Sequence, residues 1–498
     1  MPHPPMDLSL ERLKLSDGDG GGEDRLSALP NDLLISILLL VDDAPAAART
    51  SILASRWRRL WALLPELRFF SIEHRRIGAA LAAHEAPDLS LLVALTEDAS
   101  PESVSAWLPF AARGLSGSIF LGVFRFRQEA GERGGAVDLP CFEKATSIKL
   151  TLGFLGLTLP PSGVFARLKV LYLIDIQLHG QSGLGDLLSS QRCPSLGCLC
   201  VCNVRGLESL NIQSDSLLKM ELSELGRLQQ LNVVAPTLDW FKVSRCFTDP
   251  LNPELSVANI SAPQLTMLDW KNVYDPCSIH IDKMAHLEKL GIELFILEED
   301  EEAAERNQYG MTLLRRFDHI HTLDVQISYP QEICIGPYLM EGMPTLPGIT
   351  ILTLGIMAYG HSFGGSSFDI IRRCTGVKQM AFDFTLGSQV KEQTPCPPGC
   401  ICDQPPNWRT DELTLNCLEE IAIYGMRGTD HDVALVQRLF HWARVLKKMK
   451  VIFHVLVTES MANELSQLLL SFSRPDICMD ISMFVPYYLR PNVWSNFP

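Results

Sequence analysis

Apolar residues in the middle of the chain recur in one spacing, apolar-x-x-apolar-x-apolar, as in LKVLYL at 168 and LESLNI at 207. The last two apolar positions of each copy alternate with other residues, as on the buried face of a short β-strand, and the first precedes the strand. The pattern therefore predicts a series of short strands with one buried face. Thirteen copies begin at residues 147, 168, 196, 207, 217, 228, 238, 265, 287, 320, 349, 377 and 418.

The spacing of the copies indicates how the strands stack. Between 196 and 238 the copies begin 10 or 11 residues apart, so every second copy lies 21 residues from the last. A full leucine-rich repeat is usually about 20 to 29 residues long. Because a helix rises only about 1.5 Å per residue and needs a turn at each end, each half-repeat has room for a strand and a bend only.

We therefore predict that the strands at 196–201, 217–222 and 238–243 form one parallel sheet, while those at 207–212 and 228–233 lie on the opposite face. From 265 onward, the wider spacing of 22 to 41 residues leaves room for helices or loops. The whole region is predicted to be an irregular leucine-rich-repeat solenoid. The leading leucine of each half-repeat should point into a thin core: Leu196, Leu207, Leu217, Leu228 and Leu238.

A solenoid exposes a long curved surface that suits binding to another protein. The positions between the apolar residues point outward, and among them Tyr172 and Trp240 are candidates for contact with a target, because aromatic residues dominate many interfaces. Each could equally pack on its neighbouring repeat. The sequence does not identify the target.

The segment LPNDLLISILLLVDD at 29–43 has the apolar spacing of a helix that buries one face. Ile35, Leu39 and Leu40 lie off that stripe, so a second face is apolar too. AAARTSILASRWRRLWALLP supplies a second helical segment with its own apolar side. Two or three helices of this size are marginal as an independent domain. The surplus apolar face must therefore be covered by the rest of this chain or by another protein.

Residues 24–61, DRLSALPNDLLISILLLVDDAPAAARTSILASRWRRLW, resemble the plant F-box motif, with a mild departure at Ala54. The resemblance implies docking on the Skp-family adaptor of a cullin-RING ubiquitin ligase, although some of the matching residues must pack between the helices instead. The alternative is a helical cap that meets no partner. The positions carried over from the family are Leu29, Pro30, Leu33, Leu34, Ile37, Leu38, Leu53, Ser55 and Trp57.

The C-terminal part reads as a β-α-β-α-β run in which Thr429 and Asp432 form a capping box at the start of a helix. Such a unit would cover the last open coil of a solenoid. The string CPP-x-C-x-C…P-x-x-W, followed by LEE-x-x-I-x-G-x-x-G and L-K-K-M, resembles the FBD region of many plant F-box proteins over about 395–455.

Composition narrows the possible functions. The 498 residues carry a net charge of −15 with a pI near 5.3, which argues against non-specific binding to nucleic acid or anionic membranes. No apolar run approaches the ~20 residues that span a bilayer, and the N-terminus lacks the pattern of a secretory signal. We therefore expect a cytoplasmic or nuclear protein with reduced cysteines. Residues 1–23, rich in glycine and acidic residues toward their end, are predicted to be a disordered leader.

Metal binding and catalysis find little support in the sequence. Cys396, Cys400 and Cys402 come close to the spacing of zinc ligands, but a paired C-x2-C and a clear fourth ligand are missing. Other cysteines cluster within a repeat strand, where small apolar residues are needed. No sequence motif indicates a set of catalytic residues. We predict no metal, no cofactor and no enzymatic activity.

The sequence thus predicts an α/β protein, with a small all-α F-box followed by an irregular leucine-rich-repeat solenoid and a C-terminal α/β cap. The expected function is that of a substrate receptor in a Skp-cullin-F-box ubiquitin ligase, and the alternative is a non-catalytic repeat scaffold outside any ligase. The predicted parts are the leader (1–23), the F-box (24–70), a connecting segment (71–140), the solenoid (141–394) and the FBD-type cap (395–498).

Overall fold

The computed structural model describes residues 29–41, 43–52, 55–124, 135–179, 183–247, 256–295, 301–329, 342–385, 402 and 408–483. The predicted leader lies outside the described residues, as do Leu53, Cys396 and Cys400.

The described residues form ten α-helices and two 3₁₀ helices, the latter at Thr50–Ile52 and Ser55–Leu63. Among them there is no helix with the length and apolar character needed to cross a membrane. The α-helices are α1 (Asn31–Leu38), α2 (Ala44–Arg49), α3 (His74–Ala82), α4 (Pro101–Ser105), α5 (Leu108–Gly114), α6 (Leu184–Leu187), α7 (Glu301–Arg316), α8 (Gly364–Ile371), α9 (Asp430–Trp442) and α10 (Glu459–Phe472).

The same residues form 22 strands in two sheets, one of 18 strands and one of four. The strands are β1 (Glu66–Phe70), β2 (Leu89–Thr96), β3 (Leu115–Val123), β4 (Ala136–Asp138), β5 (Ser147–Thr151), β6 (Gly156–Thr158), β7 (Val170–His179), β8 (Cys198–Arg205), β9 (Ser209–Gln213), β10 (Lys219–Ser223), β11 (Gln230–Val234), β12 (Trp240–Ser244), β13 (Val257–Ser261), β14 (Met267–Lys271), β15 (Ile279–Ile281), β16 (Lys289–Phe295), β17 (Thr322–Ser328), β18 (Ile351–Met357), β19 (Gln379–Asp383), β20 (Glu420–Met426), β21 (Lys448–Phe453) and β22 (Cys478–Ser482).

The large sheet is parallel throughout and follows the order of the chain. From β1 it passes through β2, β3, β5, β7, β8, β10, β12, β14 and β16, and then through every strand from β17 to β22. Equivalent positions of successive repeats face each other, so that Lys219 pairs with Cys198 on one side and Trp240 on the other. This stacking of one coil on the next is the architecture of a solenoid, and it confirms the predicted fold class.

The two-sided cross-section predicted for the 196–243 region is confirmed. β8, β10 and β12 lie in the large sheet, whereas β9 and β11 pair with β13 and β15 in the four-stranded sheet. All five leading leucines are at most 5% exposed, because they fill the thin core between the sheets. The strands begin about two residues after each copy of the pattern, since the first apolar residue belongs to the preceding bend.

Beyond β16 the large sheet is backed by helices. α7 follows β16, α8 follows β18, and α9 and α10 flank β21. The C-terminal β-α-β-α-β run is therefore present, and Thr429 and Asp432 form the predicted capping box at the start of α9. Longer repeats supply the residues for a helix, which agrees with their wider spacing along the chain.

A left-handed residue recurs at one shared position of neighbouring coils in the large sheet. Asp175, Asn203, Glu224 and Arg245 all have φ between 51° and 54°, and each follows the register position that Ile174, Cys202, Ser223 and Ser244 share. Asp175 and Asn203 interrupt the extended backbone inside β7 and β8, and Glu224 and Arg245 directly follow β10 and β12. Asn and Asp tolerate it better than Glu and Arg, because their short polar side chains can hydrogen-bond locally.

The large sheet extends beyond the thirteen copies in both directions. β1, β2 and β3 lie in it ahead of the first copy, and β21 and β22 continue it to residue 482. The exact borders of the predicted F-box, connecting segment and FBD-type cap stay predictions.

Candidate functional site

An apolar face lies exposed on the N-terminal helices. Leu33 and Ile37 on α1 are 51% and 39% exposed, and Leu40 directly after α1 is 83% exposed. Ile52 in the first 3₁₀ helix is 87% exposed, and Pro30 is exposed at the start of α1. Large aliphatic side chains with this much exposure on short helices are typical of a surface that another protein covers.

The opposite side of the same helices forms a core. Leu34 and Leu38 are 0% and 2% exposed, and Trp57 and Leu60 from the second 3₁₀ helix are buried beside Ala47. Three of the nine predicted adaptor-binding residues, Leu34, Leu38 and Trp57, therefore have buried side chains. Leu29 is half-buried, Leu53 lies outside the described residues, and Ser55 begins the second 3₁₀ helix.

Polar contacts fix the apolar face to the first coils of the solenoid. Arg56 donates to Asn31 Oδ1 from Nε (3.1 Å) and Nη2 (2.7 Å), which ties the second 3₁₀ helix to α1. Arg59 pairs with Glu85 at 2.6 Å. The backbone N–H of Glu85 also donates to Ala62 O at 2.8 Å. The N-terminal helices are thus held against the solenoid by contacts that do not involve the exposed leucines.

The outward face of the large sheet carries the two aromatic candidates. Tyr172 is half-buried, with Lys149 Nζ 4.7 Å from its ring centre and its hydroxyl 3.7 Å from Cys198 Sγ. Burial raises the pKa of Tyr172 to about 12. Trp240 is also half-buried, between Lys219 and Met267 of the adjoining strands. Both rings partly pack on their neighbouring repeats, so each exposes only part of its surface.

Charged residues on this face pair across and along the strands. Lys242 contacts Glu221 at 2.8 Å, Lys271 contacts Asp269 at 3.4 Å and Lys289 contacts Asp324 at 3.7 Å. Burial raises the pKa of Asp324, although Lys271 and Lys289 oppose the rise. The face is therefore polar but largely neutralised by its own pairs, which favours recognition by shape and by selected side chains over attraction to one sign of charge.

The described residues contain no group of three or more His, Cys, Asp or Glu side chains arranged to hold a metal ion. Cys402 is buried, and its sulfur accepts a hydrogen bond from the Ser362 N–H at 3.4 Å. Burial raises the pKa of Cys200 to about 12 and that of Cys202 to about 11. The thiols of Cys200 and Cys202 are thus protonated at neutral pH and are poor nucleophiles.

The sequence-based site list omitted the two most exposed apolar residues of the N-terminal helices, Leu40 and Ile52. Leu40 did carry a signal, because it lies off the helical stripe in an apolar run. Ile52 carried none, since its spacing matches the buried side of the second segment. Only the short 3₁₀ geometry of Thr50–Ile52 turns it outward.

No protein-family model matches the chain. A putative F-box/FBD/LRR-repeat protein of Arabidopsis thaliana is 28% identical over 284 residues, covering 55% of this chain and 56% of the relative. A putative F-box/LRR-repeat protein of the same plant is 25% identical over 307 residues, covering 55% and 68%. Another putative F-box/FBD/LRR-repeat protein is 30% identical over 191 residues, covering 35% and 41%.

The matches therefore span between 41% and 68% of these relatives' lengths, and the three relatives are described as F-box and repeat proteins. The N-terminal helices and the parallel solenoid agree with those descriptions. The chain is thus similar to plant F-box/FBD/LRR-repeat proteins over about half of its length, and its parallel repeat architecture agrees with that similarity.

Proposed function

We propose that the chain is the substrate receptor of a Skp-cullin-F-box ubiquitin ligase. Its N-terminal helices would bind a Skp-family adaptor, and its solenoid would bind a target protein. The observation that carries the proposal is the exposed apolar face of Leu33, Ile37, Leu40 and Ile52. Fully burying one such side chain contributes about 1.5–3 kcal/mol, so the face would yield several kcal/mol on binding.

The burial pattern divides the nine predicted residues between two roles. Pro30, Leu33 and Ile37 would touch the adaptor together with Leu40 and Ile52. Leu34, Leu38 and Trp57 would hold the helices in the geometry that presents this face. Leu29, Leu53 and Ser55 remain proposed contacts at its margin.

The function follows from proximity, and this chain would make no bond. A target held on the solenoid comes within reach of a ubiquitin-conjugating enzyme that the cullin recruits, and fixing two reactants in place raises their effective concentration. The proposed setting is the cytoplasm or nucleus, without a metal, cofactor, nucleic acid or membrane partner. In the alternative, a repeat scaffold outside any ligase, the described residues of the N-terminal helices would have no reason to leave this face uncovered.

Co-expression with a plant Skp-family adaptor tests the proposal. The wild-type chain should co-purify with the adaptor, and the double variant Leu33→Asp, Ile37→Asp should lose it, because two charges would be buried without partners. Leu456→Asp is the matched control, since Leu456 is 65% exposed at the other end of the molecule. Adaptor binding that survives the double variant, or that is lost equally in the control, would refute the proposed interface.

A further inference from the structure

A cavity of about 530 Å³ opens at the carboxyl ends of β12, β14, β16, β17 and β18. Its walls include Ser278 and Ile279 at the start of β15, and Gly310 and Leu313 of α7. The cavity thus lies where the backing of the large sheet changes from strands to a helix. A helix is about 10 Å across, so it cannot continue the thin layer of the four-stranded sheet without leaving a gap. The volume is in the range of ligand-binding sites.

Six aromatic residues line this cavity. The hydroxyl or ring N–H groups of three of them form hydrogen bonds with neighbouring residues. Tyr274 OH accepts from Arg316 Nη1 at 3.1 Å, Trp270 Nε1 donates to Val273 O at 3.3 Å, and Tyr329 OH lies 2.7 Å from Ser366 Oγ. Their rings are therefore fixed in place as walls. The six are Phe247, Trp270, Tyr274, Phe295, Tyr329 and Tyr359.

One carboxylate in the cavity wall is nearly buried and only partly satisfied. The side chain of Glu293 is 8% exposed, and its Oε1 accepts from Gln326 Nε2 at 2.8 Å and Ser328 Oγ at 2.7 Å. Oε2 accepts no hydrogen bond from the residues that the structure describes. The nearest cation, Arg245, is 4.0 Å from Oε1 and is engaged more closely by Glu224 at 2.9 Å.

The other charges of the cavity do not neutralise Glu293. Lys271 pairs with Asp269 at 3.4 Å, and Asp275 accepts from the Cys277 N–H at 3.0 Å. The described lining holds three carboxylates against two cations. A buried carboxylate with an open oxygen is most stable when a cation contacts it, and aromatic faces attract cations as well.

We propose that this cavity binds an organic cation, an ammonium or guanidinium group on an apolar body. The charged group would contact Glu293 Oε2, and the apolar body would lie against the aromatic walls. Such a group could come from a lysine or arginine side chain of a protein segment or from a free amine. The proposal does not depend on adaptor binding, so the two can fail separately.

Titration calorimetry with the full chain tests the site, using 2-phenylethylammonium as the probe. We expect binding in the millimolar range or tighter, and much weaker binding of 3-phenylpropionate, which has the same ring and chain length with the opposite charge. Glu293→Gln should weaken binding about tenfold or more, as loss of a charge-assisted hydrogen bond does. Glutamine keeps an acceptor for Gln326 and Ser328, so the local structure should persist.

Glu221→Gln is the matched control, because Glu221 lies on the same sheet face, pairs with Lys242 and does not line the cavity. Should Glu293→Gln fail to fold, as judged by thermal unfolding, Tyr359→Asn replaces it. Asn suits the left-handed φ of 47° at that position and removes one aromatic wall, so affinity should fall severalfold.

A third probe, N-acetyl-arginine methylamide, separates the two sources of the cation. Tighter binding of this peptide analogue than of 2-phenylethylammonium would assign the site to a protein side chain, and the reverse order would assign it to a free amine. The proposal is overturned if neither cation binds, if 3-phenylpropionate binds as well as its cationic counterpart, or if Glu293→Gln binds like the wild type.

Discussion

The two-sheet section of the solenoid and the N-terminal helices contain similar apolar residues, but the solenoid buries them and the helices leave several of them exposed. Between β8 and β13 the regularly spaced leucines face each other across a thin core and are nearly inaccessible. On the N-terminal helices only one side finds such cover, and leucines of the same sequence run differ from 0% exposed at Leu34 to 83% at Leu40. In the solenoid each coil covers the next, whereas a pair of short helices has no neighbouring repeat for its second face. Apolar periodicity therefore predicts burial where coils repeat, and it predicts an interface where they do not.

The largest expected effect is a difference in the free energy of unfolding between truncation of a buried solenoid leucine and truncation of an exposed leucine next to α1. Leu231 is 0% exposed in β11, so Leu231→Ala should lower the free energy of unfolding by about 2–5 kcal/mol. Leu40→Ala should change it by less than about 0.5 kcal/mol, as exposed positions do. Urea unfolding followed by circular dichroism measures both. Comparable losses in the two variants would show that the N-terminal face is covered within the chain.

A smaller effect should appear as a pH dependence of stability that comes from two buried histidines, His74 in the first coils and His454 in the C-terminal run. Burial lowers the pKa of His74, whose Nδ1 accepts from Trp107 Nε1 at 3.0 Å, and burial together with Arg427 lowers the pKa of His454. The folded protein then binds fewer protons than the unfolded chain below the ordinary histidine pKa of 6.5. The stability that depends on neutral His74 and His454 is thus fully present above that pH and is lost as the pH falls below it.

Comparing urea midpoints at about pH 7.5 and about pH 5.5 checks this expectation. His74→Gln should flatten the difference between the two midpoints, and His286→Gln, at an exposed position in the solenoid, should not. If His74→Gln leaves the pH dependence as it is in the wild type, burial does not restrict protonation of this ring.

The smallest effect concerns the left-handed residues that share one position in neighbouring coils. Glu224 has φ 54°, in the same place where Asn203 has φ 54° one coil earlier. Glu224→Asn should stabilise the chain by about 0.5–1 kcal/mol, because Asn tolerates this conformation and the exposed ion pair with Arg245 contributes little. A loss of stability in thermal unfolding would mean that the ion pair outweighs the backbone preference.

More of the solenoid than of the candidate binding surfaces could be predicted from the sequence. All thirteen copies of the pattern are strands, and the two-sided section follows from chain reach alone. β1 carries the same pattern at Leu64, Leu67 and Phe69, but these residues fall within the end of the predicted F-box, 24–70. β3 breaks the spacing, because a register irregularity opposite Leu89 and Leu91 separates its first buried residue from the next.

The candidate sites were less predictable for a physical reason. A helical stripe in the sequence shows that Leu33 and Leu34 are apolar, but which of them is buried depends on how α1 packs on the second 3₁₀ helix. The cavity depends on five strand ends and a helix that are far apart in sequence, and Glu293 differs from other repeat-face carboxylates only in its burial. Sites formed by residues that are far apart in the sequence have no recognisable local sequence pattern.

The unbroken parallel sheet also sets distances along the molecule by the number of its strands. Neighbouring strands lie about 4.8 Å apart, so the fifteen steps from β1 to β22 correspond to a contour of about 70 Å measured from the N-terminal helices. The cavity near β14 lies eight steps along, at about 40 Å of contour. An adaptor fixed at one end would thus meet a bound molecule at a distance set by the number of repeats between them. Inserting or deleting a single coil would move that molecule by one strand spacing without changing a residue that touches it.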